Sequence, residues 1–248
     1  MKQLIAFDLD GTLAESKQPI GKDMAALLAR LLGVADVAII SGGDWPQFEK
    51  QVVSRLPDGA DLRRLFILPT TGTKLYRFDG EWRPVFDESF ATDERDRIIA
   101  ALGTASTDAG LSHERAWGPR IEDRGSQITL SALGQDAPIE VKKAWDPGLD
   151  KRRRLQATLR ALLPDLSVNI GGSTSIDITH QGIDKAYGMR RLAEYANITF
   201  ADILFLGDAI YPGGNDDPVR AAGIDSIPVR DVAETRTAVS AIIACLDR

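Results

Sequence analysis

The sequence predicts an α/β fold in which a doubly wound parallel sheet is interrupted by an inserted α+β unit. At both ends of the chain, short apolar runs of strand length alternate with helical patterns, as is typical of βαβ units and a parallel sheet. The middle of the chain lacks this alternation and contains hairpin and alternating strand patterns instead. Polar residues follow several of the apolar runs, at the strand ends where parallel sheets bind ligands.

The first element is a strand that leads into an acidic motif. Residues 4–7 form an apolar run, which is followed by Asp8, Asp10 and the turn residue Gly11. A short buried strand of this kind places Asp8 at the mouth of a site. Two carboxylates this close repel each other, so they need a cation, and hard cations such as Mg²⁺ prefer carboxylate oxygens. The motif therefore predicts a magnesium site.

The strand–helix alternation continues after this motif and returns near the C-terminus. The N-terminal part is predicted to contain a helix at 22–32, a strand at 37–40, a helix from Asp44 to about Leu56 and a strand at 65–68. The C-terminal part is predicted to contain a helix at 183–195, strands at 203–206 and 226–229, and a closing helix at 232–246. Buried strands joined by amphipathic helices indicate one parallel sheet.

The middle of the chain follows other patterns. It is predicted to contain a hairpin across Asp79-Gly80, a helix at 92–111, an alternating strand at 126–132, a basic helix at 150–163 and strands at 166–170 and 175–178. Hairpins and alternating strands are typical of antiparallel sheets. We therefore expect a discontinuous core domain, residues 1–81 and 181–248, with an inserted α+β domain at 82–180.

Composition limits the classes of function. With 44% hydrophobic and 27% charged residues, the chain can build a packed core, and its 248 residues suffice for two modest domains. A net charge of −6 argues against non-specific binding of nucleic acid or anionic membranes. The single cysteine, Cys245, excludes an internal disulfide and a thiolate zinc site. With neither a signal-peptide pattern nor an apolar run near the roughly 20 residues of a membrane span, we expect a cytoplasmic protein.

Four polar signals recur where elements end or begin. They are Asp8 with Asp10, Ser41 after the second strand, Lys185 at a helix start, and Asp208 after a late strand. Taken singly, Ser41 could be a cap, Lys185 a surface residue and Asp208 a turn residue. Because strand ends of a parallel sheet converge, their shared placement favours one common site instead.

The segment DLDGTL at residues 8–13 resembles the nucleophile motif of the haloacid dehalogenase (HAD) superfamily, most of whose members are phosphatases and phosphotransferases. This resemblance implies that Asp8 is a nucleophile that forms an aspartyl-phosphate and that Asp10 is the general acid and base. It implies that Mg²⁺ is held by Asp8, by Asp208 and by the backbone carbonyl of Asp10. It also implies a Rossmann-like core and a set of phosphate-binding residues, namely Thr12, Ser41, Gly42 and Lys185.

Further motifs resemble those of the eukaryotic-type phosphomannomutases within this superfamily. They are IEDRG at 121–125, GGSTSID at 171–177 with GIDK at 182–185, and GDAIYPGGND at 207–216. The resemblance implies a type IIB cap that binds a phosphorylated sugar, and a metal loop supported by Asn215 and Asp216. The candidate cap and substrate residues are Lys17, Arg120, Arg124, Ser175 and Asp177.

The chain departs from that family where a mutase would bind a second phosphate. Trp117 replaces one cap arginine, with Arg120 close by, Gln135 replaces another, and Lys17 replaces an arginine in the early loop. Because Gln135 carries no charge and lacks the arginine fork, we interpret the chain as a Mg²⁺-dependent sugar-phosphate phosphatase.

Two alternatives to the phosphatase stay open at this point. One is a phosphomannomutase-like phosphotransferase that interconverts hexose 1- and 6-phosphates, and the other is a non-catalytic module that binds sugar phosphates. An exposed face of the cap would allow two subunits to pair as a homodimer. The sequence does not identify which sugar phosphate is bound.

Overall fold

The computed structural model describes residues 2–247, and it confirms the α/β class with a separate antiparallel sheet. The chain divides into two compact units. The core unit contains the residues up to Asp87 and those from Asp184 onward, and the inserted unit is Glu88–Ile183. Among the described residues, no helix combines the length and apolarity required to cross a bilayer.

The core unit contains seven strands and five helices of α type within the described residues. In chain order they are β1 (Leu4–Asp8), α1 (Lys22–Leu32), β2 (Asp36–Ile40), α2 (Trp45–Gln51), β3 (Leu65–Leu68), β4 (Lys74–Phe78) and β5 (Trp82–Asp87). The inserted unit follows with β6 (Ile121–Asp123), β7 (Ile128–Ser131), β8 (Leu166–Ile170) and β9 (Ser175–His180), together with α3 (Thr92–Asp108), α4 (Ile139–Trp145) and α5 (Asp150–Leu162). The core then resumes with α6 (Lys185–Ala196), β10 (Ile203–Gly207), α7 (Asp217–Ala221), β11 (Asp225–Pro228) and α8 (Val232–Leu246).

The seven strands of the core sheet lie in the order β11-β10-β1-β2-β3-β4-β5. Pairing is parallel from β11 to β3, and β4 and β5 are antiparallel additions at one edge. Every residue of β1 is buried, which explains why the strand reads as a continuous apolar run rather than an alternating one. β1 is the middle one of the five parallel strands, so its carboxyl end lies in the middle of the parallel part of the sheet.

Helices cover both faces of this sheet, so the doubly wound arrangement is confirmed. Ile5 and Phe7 of β1 pack in the same hydrophobic cluster as α1 and α8. Leu4 and Ala6 alternate to the opposite face and pack in the cluster that contains residues of α6. Because side chains alternate along a strand, the run LIAF supplies apolar groups to both layers.

The boundary of the inserted unit lies a few residues beyond the predicted one. The hairpin of β4 and β5 turns at Asp79-Gly80 as expected, but both of its strands belong to the core sheet. β5 extends to Asp87, so the division falls after residue 87 rather than after residue 81. The hairpin pattern itself does not indicate which sheet the two strands join.

The inserted unit is an antiparallel sheet with strand order β6-β7-β9-β8. One face is apolar, where Ile128 and Leu130 pack in one cluster with residues of α3 and α5. Side chains of the intervening positions alternate to the other face, which is polar and includes Thr129 and Asp177. The unit therefore has one face for packing and one that carries polar groups.

A glycine pair sets the distance between α6 and the loop that follows β3. A Cβ added to Gly188 would fall within 3 Å of the carbonyl oxygen of Thr71 and of the Cα of Gly72. Gly72 has φ +84°, which favours glycine, and its own Cβ would meet the backbone of Gly188. This close approach fixes the helix whose first residue is Lys185.

We expect Gly188→Ala to destabilise the protein by about 1–3 kcal/mol, because backbone atoms have to move to admit the methyl group. At an ordinary position within a helix the effect is the opposite, because Gly→Ala there stabilises the protein by roughly 0.5–1 kcal/mol. Gly103 in α3 is the matched control, since a Cβ there meets nothing within 4 Å. Thermal unfolding followed by circular dichroism should show a lower midpoint for Gly188→Ala and a higher one for Gly103→Ala. An unchanged or raised midpoint for Gly188→Ala would contradict the close packing.

Candidate active site

The centre of the site is a buried ion pair between Asp8 and Lys185. Asp8 ends β1, and Lys185 begins α6, far away in the sequence. The ammonium group of Lys185 donates hydrogen bonds to carboxylate oxygens of both Asp8 and Asp216. All three side chains are buried, with side-chain exposures of 2% for Lys185, 6% for Asp8 and 0% for Asp216. The predicted residues Asp8, Lys185 and Asp216 are thus brought together.

Asp208 completes a group of three carboxylates. Oxygen atoms of Asp8, Asp208 and Asp216 all lie within 4.8 Å of one another. Asp216 is fixed by the backbone N–H of Ala209, which donates to its Oδ2 at 2.9 Å. The loop after β10 therefore supplies both Asp208 and Asp216, and β1 supplies Asp8.

The electrostatics of this group favour a bound cation. The pKa of Asp8 is raised to about 6, mainly by burial and also by the charges of Asp216 and Asp208, despite the opposing charge of Lys185. Burial and the charge of Asp216 raise the pKa of Asp208. Burial alone would lower the pKa of Lys185, but the charges of Asp8 and Asp216 raise it overall. Within this group, three carboxylates face one ammonium, so negative charge is in excess.

The donor set fits Mg²⁺, which takes carboxylate oxygens and would offset the excess charge. Asp8, Asp208 and Asp216 are the side chains that would hold it. The carboxylate of Asp10 lies outside this group, and its predicted contribution through the backbone carbonyl stays a prediction. Asn215 is exposed, and its predicted support of the metal loop stays a prediction.

Asp10 is held by a separate set of hydrogen bonds. The backbone N–H of Lys17 donates to Asp10 Oδ1 at 2.6 Å, and Gln47 Nε2 donates to Oδ2 at 3.1 Å. Gln51 Nε2 lies 3.5 Å from Oδ1 and donates to the carbonyl of Gln18 at 2.7 Å. Lys17, predicted as a substrate contact, has an exposed side chain and reaches Asp10 through its backbone.

Sequence reasoning missed the two glutamines. They stand four residues apart on α2, so they project from the same side of the helix. The spacing was visible in the sequence, but nothing local indicated that this side of α2 meets the loop after β1. The signal that could have identified the two glutamines is their four-residue spacing on the helix that directly follows β2 and Ser41.

The remaining phosphate-binding candidates lie in two loops. Gly11 has φ +93°, and a Cβ there would overlap the carboxylate of Asp208, so the motif requires glycine at this position. Thr12 is fully buried, and its Oγ1 has no hydrogen-bond partner among the described residues. Ser41 is buried at the end of β2, and half-buried Gly42 follows it. These positions are consistent with the prediction that both loops bind phosphate.

The inserted unit gathers three of its predicted substrate residues on its polar sheet face. Asp177 Oδ1 accepts a hydrogen bond from Thr129 Oγ1 at 2.7 Å, and burial raises the pKa of Asp177. The charge of Arg124 acts on Asp177, and Arg124 pairs with Glu122 at 2.7 Å. Ser175 lies two residues before Asp177 on β9 and therefore on the same face.

Arg120 has a different environment from the one predicted. Its Nε donates to the carbonyl of Ala132 at 2.9 Å, and its Nη2 donates to the carbonyls of Leu111 and Glu114 at 2.8 and 2.6 Å. These contacts join the segments before β6 and after β7, which favours a structural role for Arg120 over a substrate contact. Sequence spacing could not show this, because the carbonyl acceptors come from loops.

Comparison with known proteins identifies the relatives. The family model described as eukaryotic phosphomannomutase matches residues 24–223. The phosphomannomutase of Nicotiana benthamiana is 27% identical over 220 residues, which cover 86% of this chain and 82% of that protein. The phosphomannomutase of Schizosaccharomyces pombe is 26% identical over 225 residues, which cover 87% and 84%.

Solved structures show the same fold at low sequence identity. The IMP-nucleotidase of Plasmodium falciparum aligns with a TM-score of 0.72 and 15% identity, covering 99% of this chain and 69% of that chain. A haloacid dehalogenase-like hydrolase from Bacteroides thetaiotaomicron aligns with a TM-score of 0.65 and 16% identity, covering 98% of this chain and 100% of that chain. These structures show the fold alone, whereas the match to the family model and its relatives supports an enzyme of the HAD superfamily.

We expect Mg²⁺ to raise the thermal unfolding temperature of the wild-type protein, because an ion that binds only the native state stabilises it. Asp208→Asn should reduce this shift, since it removes one of the three carboxylates. Asp217→Asn is the matched control, because Asp217 directly follows Asp216, at the start of α7, but pairs with Arg220. Melting curves across a MgCl₂ series, with ionic strength held constant by NaCl, measure the effect. Equal shifts for Asp208→Asn and the wild type would contradict the proposed ligand set.

Proposed function

The chain belongs to the eukaryotic phosphomannomutase family, and from this premise we propose that it transfers the phosphoryl group of a hexose phosphate through Asp8 and returns it to a different position of a hexose. The observation that carries the proposal is the buried carboxylate of Asp8, bonded to Lys185 and grouped with Asp208 and Asp216. The sequence analysis favoured a phosphatase. The relatives favour the phosphotransferase alternative, because phosphomannomutases match over most of the chain.

In the first step, an Asp8 carboxylate oxygen attacks phosphorus. A bond forms between that oxygen and phosphorus, and the bond from phosphorus to the sugar oxygen breaks with its electron pair going to the sugar oxygen. Asp10, in its protonated form, donates a proton to that oxygen. The ammonium of Lys185, already adjacent to Asp8, neutralises negative charge as the two anions meet.

In the second step, a hydroxyl oxygen of the acceptor sugar attacks the phosphorus of the aspartyl-phosphate. Asp10 accepts the proton of that hydroxyl, and the bond between phosphorus and Asp8 breaks, which regenerates both carboxyl groups in their starting states. When bound by Asp8, Asp208 and Asp216, Mg²⁺ would supply additional charge neutralisation at the phosphoryl oxygens. Thr12, Ser41 and Gly42 are proposed to hold the phosphoryl group.

We assign recognition of the sugar to the polar sheet face of the inserted unit, with Arg124, Ser175 and Asp177 as the contacts. Their place on one face of the same sheet supports this assignment. Lys17 and Arg120 are weaker candidates, because Lys17 reaches Asp10 through its backbone and Arg120 donates to three carbonyls. Pairing of two subunits through this unit stays a prediction.

Hydrolysis is the second candidate function, and one observation favours it. Trp117 and Gln135 stand where the family resemblance implies phosphate-binding arginines of the cap. The nearby Arg120 donates its hydrogen bonds to backbone carbonyls. Weaker binding of a second phosphate would shorten the time a bisphosphate stays bound. Water would then take the place of the sugar hydroxyl in the second step.

We expect the protein, with Mg²⁺ and a catalytic amount of a hexose bisphosphate, to convert mannose 1-phosphate into mannose 6-phosphate faster than it releases inorganic phosphate. Both products are measured in the same reaction, by coupled oxidation of the 6-phosphate and by colorimetric phosphate detection. Asp8→Asn should lower both rates by on the order of 10³-fold or more, because it removes the nucleophile.

The product ratio separates the candidates. Phosphate release without isomerisation would replace the mutase proposal with the phosphatase. If the wild type formed neither product, and calorimetry showed equal sugar-phosphate binding by the wild type and Asp8→Asn, the chain would be a binding module.

A further inference from the structure

We propose that Gln47 is a positioning residue that holds the carboxylate of Asp10 in the orientation from which it exchanges protons with the reacting oxygen. This inference rests on the proposed function, in which Asp10 is the general acid and base. Among the residues implied by family resemblance, none lies on α2.

The first support is the geometry around Asp10. Gln47 Nε2 donates to Oδ2 at 3.1 Å while the backbone N–H of Lys17 donates to Oδ1 at 2.6 Å. Gln51 Nε2 also lies 3.5 Å from Oδ1, so both oxygens have donors and the plane of the carboxylate is fixed as well as its position. An amide keeps its donor at every pH and has no proton to give away in catalysis, so Gln47 can orient Asp10 but cannot replace it.

The second support is the packing of the Gln47 side chain against Gly43. A Cβ added to Gly43 would overlap Oε1 and Cδ of Gln47, so the carboxamide lies where a side chain would otherwise stand. Gly43 is buried, and its carbonyl accepts the N–H of Thr70 at 2.8 Å. The loop after β2 therefore presents a fixed surface on which the carboxamide rests.

The third support is the anchoring of the helix that carries Gln47. Asp44 caps α2 by accepting the N–H of Trp45 at 2.8 Å, and buried Lys74 donates to Asp44 at 3.1 Å. The Trp45 ring stacks on Tyr76 of β4, with centroids 4.4 Å apart. These contacts fix the start of α2 to the sheet, so the direction in which Gln47 projects is fixed too.

The test uses two substrates whose leaving groups differ in their need for a proton. Release of mannose from mannose 6-phosphate requires protonation of a sugar oxygen, whereas p-nitrophenolate leaves p-nitrophenyl phosphate unprotonated. We expect Gln47→Met to lower kcat/KM for mannose 6-phosphate by about 10- to 100-fold, and to leave kcat/KM for p-nitrophenyl phosphate within about threefold. A residue that only supported the fold would affect both substrates alike.

Two further variants complete the design. Gly43→Ala keeps the amide but displaces it, so it should produce the same selective loss. Glu49→Met places the same side chain on an exposed position of α2 and should change neither substrate. Melting temperatures of all variants confirm that each one is folded.

The outcomes are distinct. An equal loss on both substrates, or no loss on either, in Gln47→Met would overturn the role of Gln47 and leave the proposed function intact. If the wild type releases no mannose, isomerisation of mannose 1-phosphate to mannose 6-phosphate replaces it as the reaction that requires a proton. A wild-type protein that showed neither reaction would overturn the proposed function and this inference with it.

Discussion

The structure of this site depends on one buried ammonium group. Lys185 bonds Asp8 and Asp216 in the interior, where two carboxylates without a counter-charge would repel each other strongly. Removing one partner of a buried ion pair typically lowers the free energy of unfolding by about 3–5 kcal/mol, because the remaining charge is buried without a counter-charge. The same contact joins the first strand, the first helix after the insertion and the loop after β10. Stability of the core and alignment of Asp8, the proposed nucleophile, are therefore two results of one interaction.

Backbone shape makes this contact available. Gly11 leaves room for the carboxylate of Asp208, and the approach of Gly188 to Gly72 brings the start of α6 to the sheet. Near Asp10, the loop after β2 and the start of α2 together position the side chain of Gln47. The candidate site thus contains two side chains with proposed chemical roles, Asp8 and Asp10, surrounded by groups that fix their positions.

Much of the fold was readable because burial on both faces leaves continuous apolar runs such as residues 4–7, and because helices follow them at regular distance. The approach of Asp8, Lys185 and Asp208 was also predictable, since strand ends of a parallel sheet converge. The destination of an individual long side chain was not. Arg120 donates to the carbonyls of Leu111 and Glu114, and Gln47 donates to Asp10. The acceptors lie in loops, and no local sequence pattern predicts the path of these loops.

The split arrangement of the core has a consequence for how the chain acquires its structure. β1 pairs with β10, for example Leu4 with Ile203, so one neighbour of the strand that ends in Asp8 is synthesised only after the whole inserted unit. The inserted unit is contiguous, so all of its residues are synthesised before β10, whereas the core sheet needs a contact of high sequence separation. Until β10 has been synthesised, one edge of β1 has no partner strand and Asp8 lacks both Asp208 and Asp216. The candidate site therefore cannot be complete before the chain has been extended past Asp216.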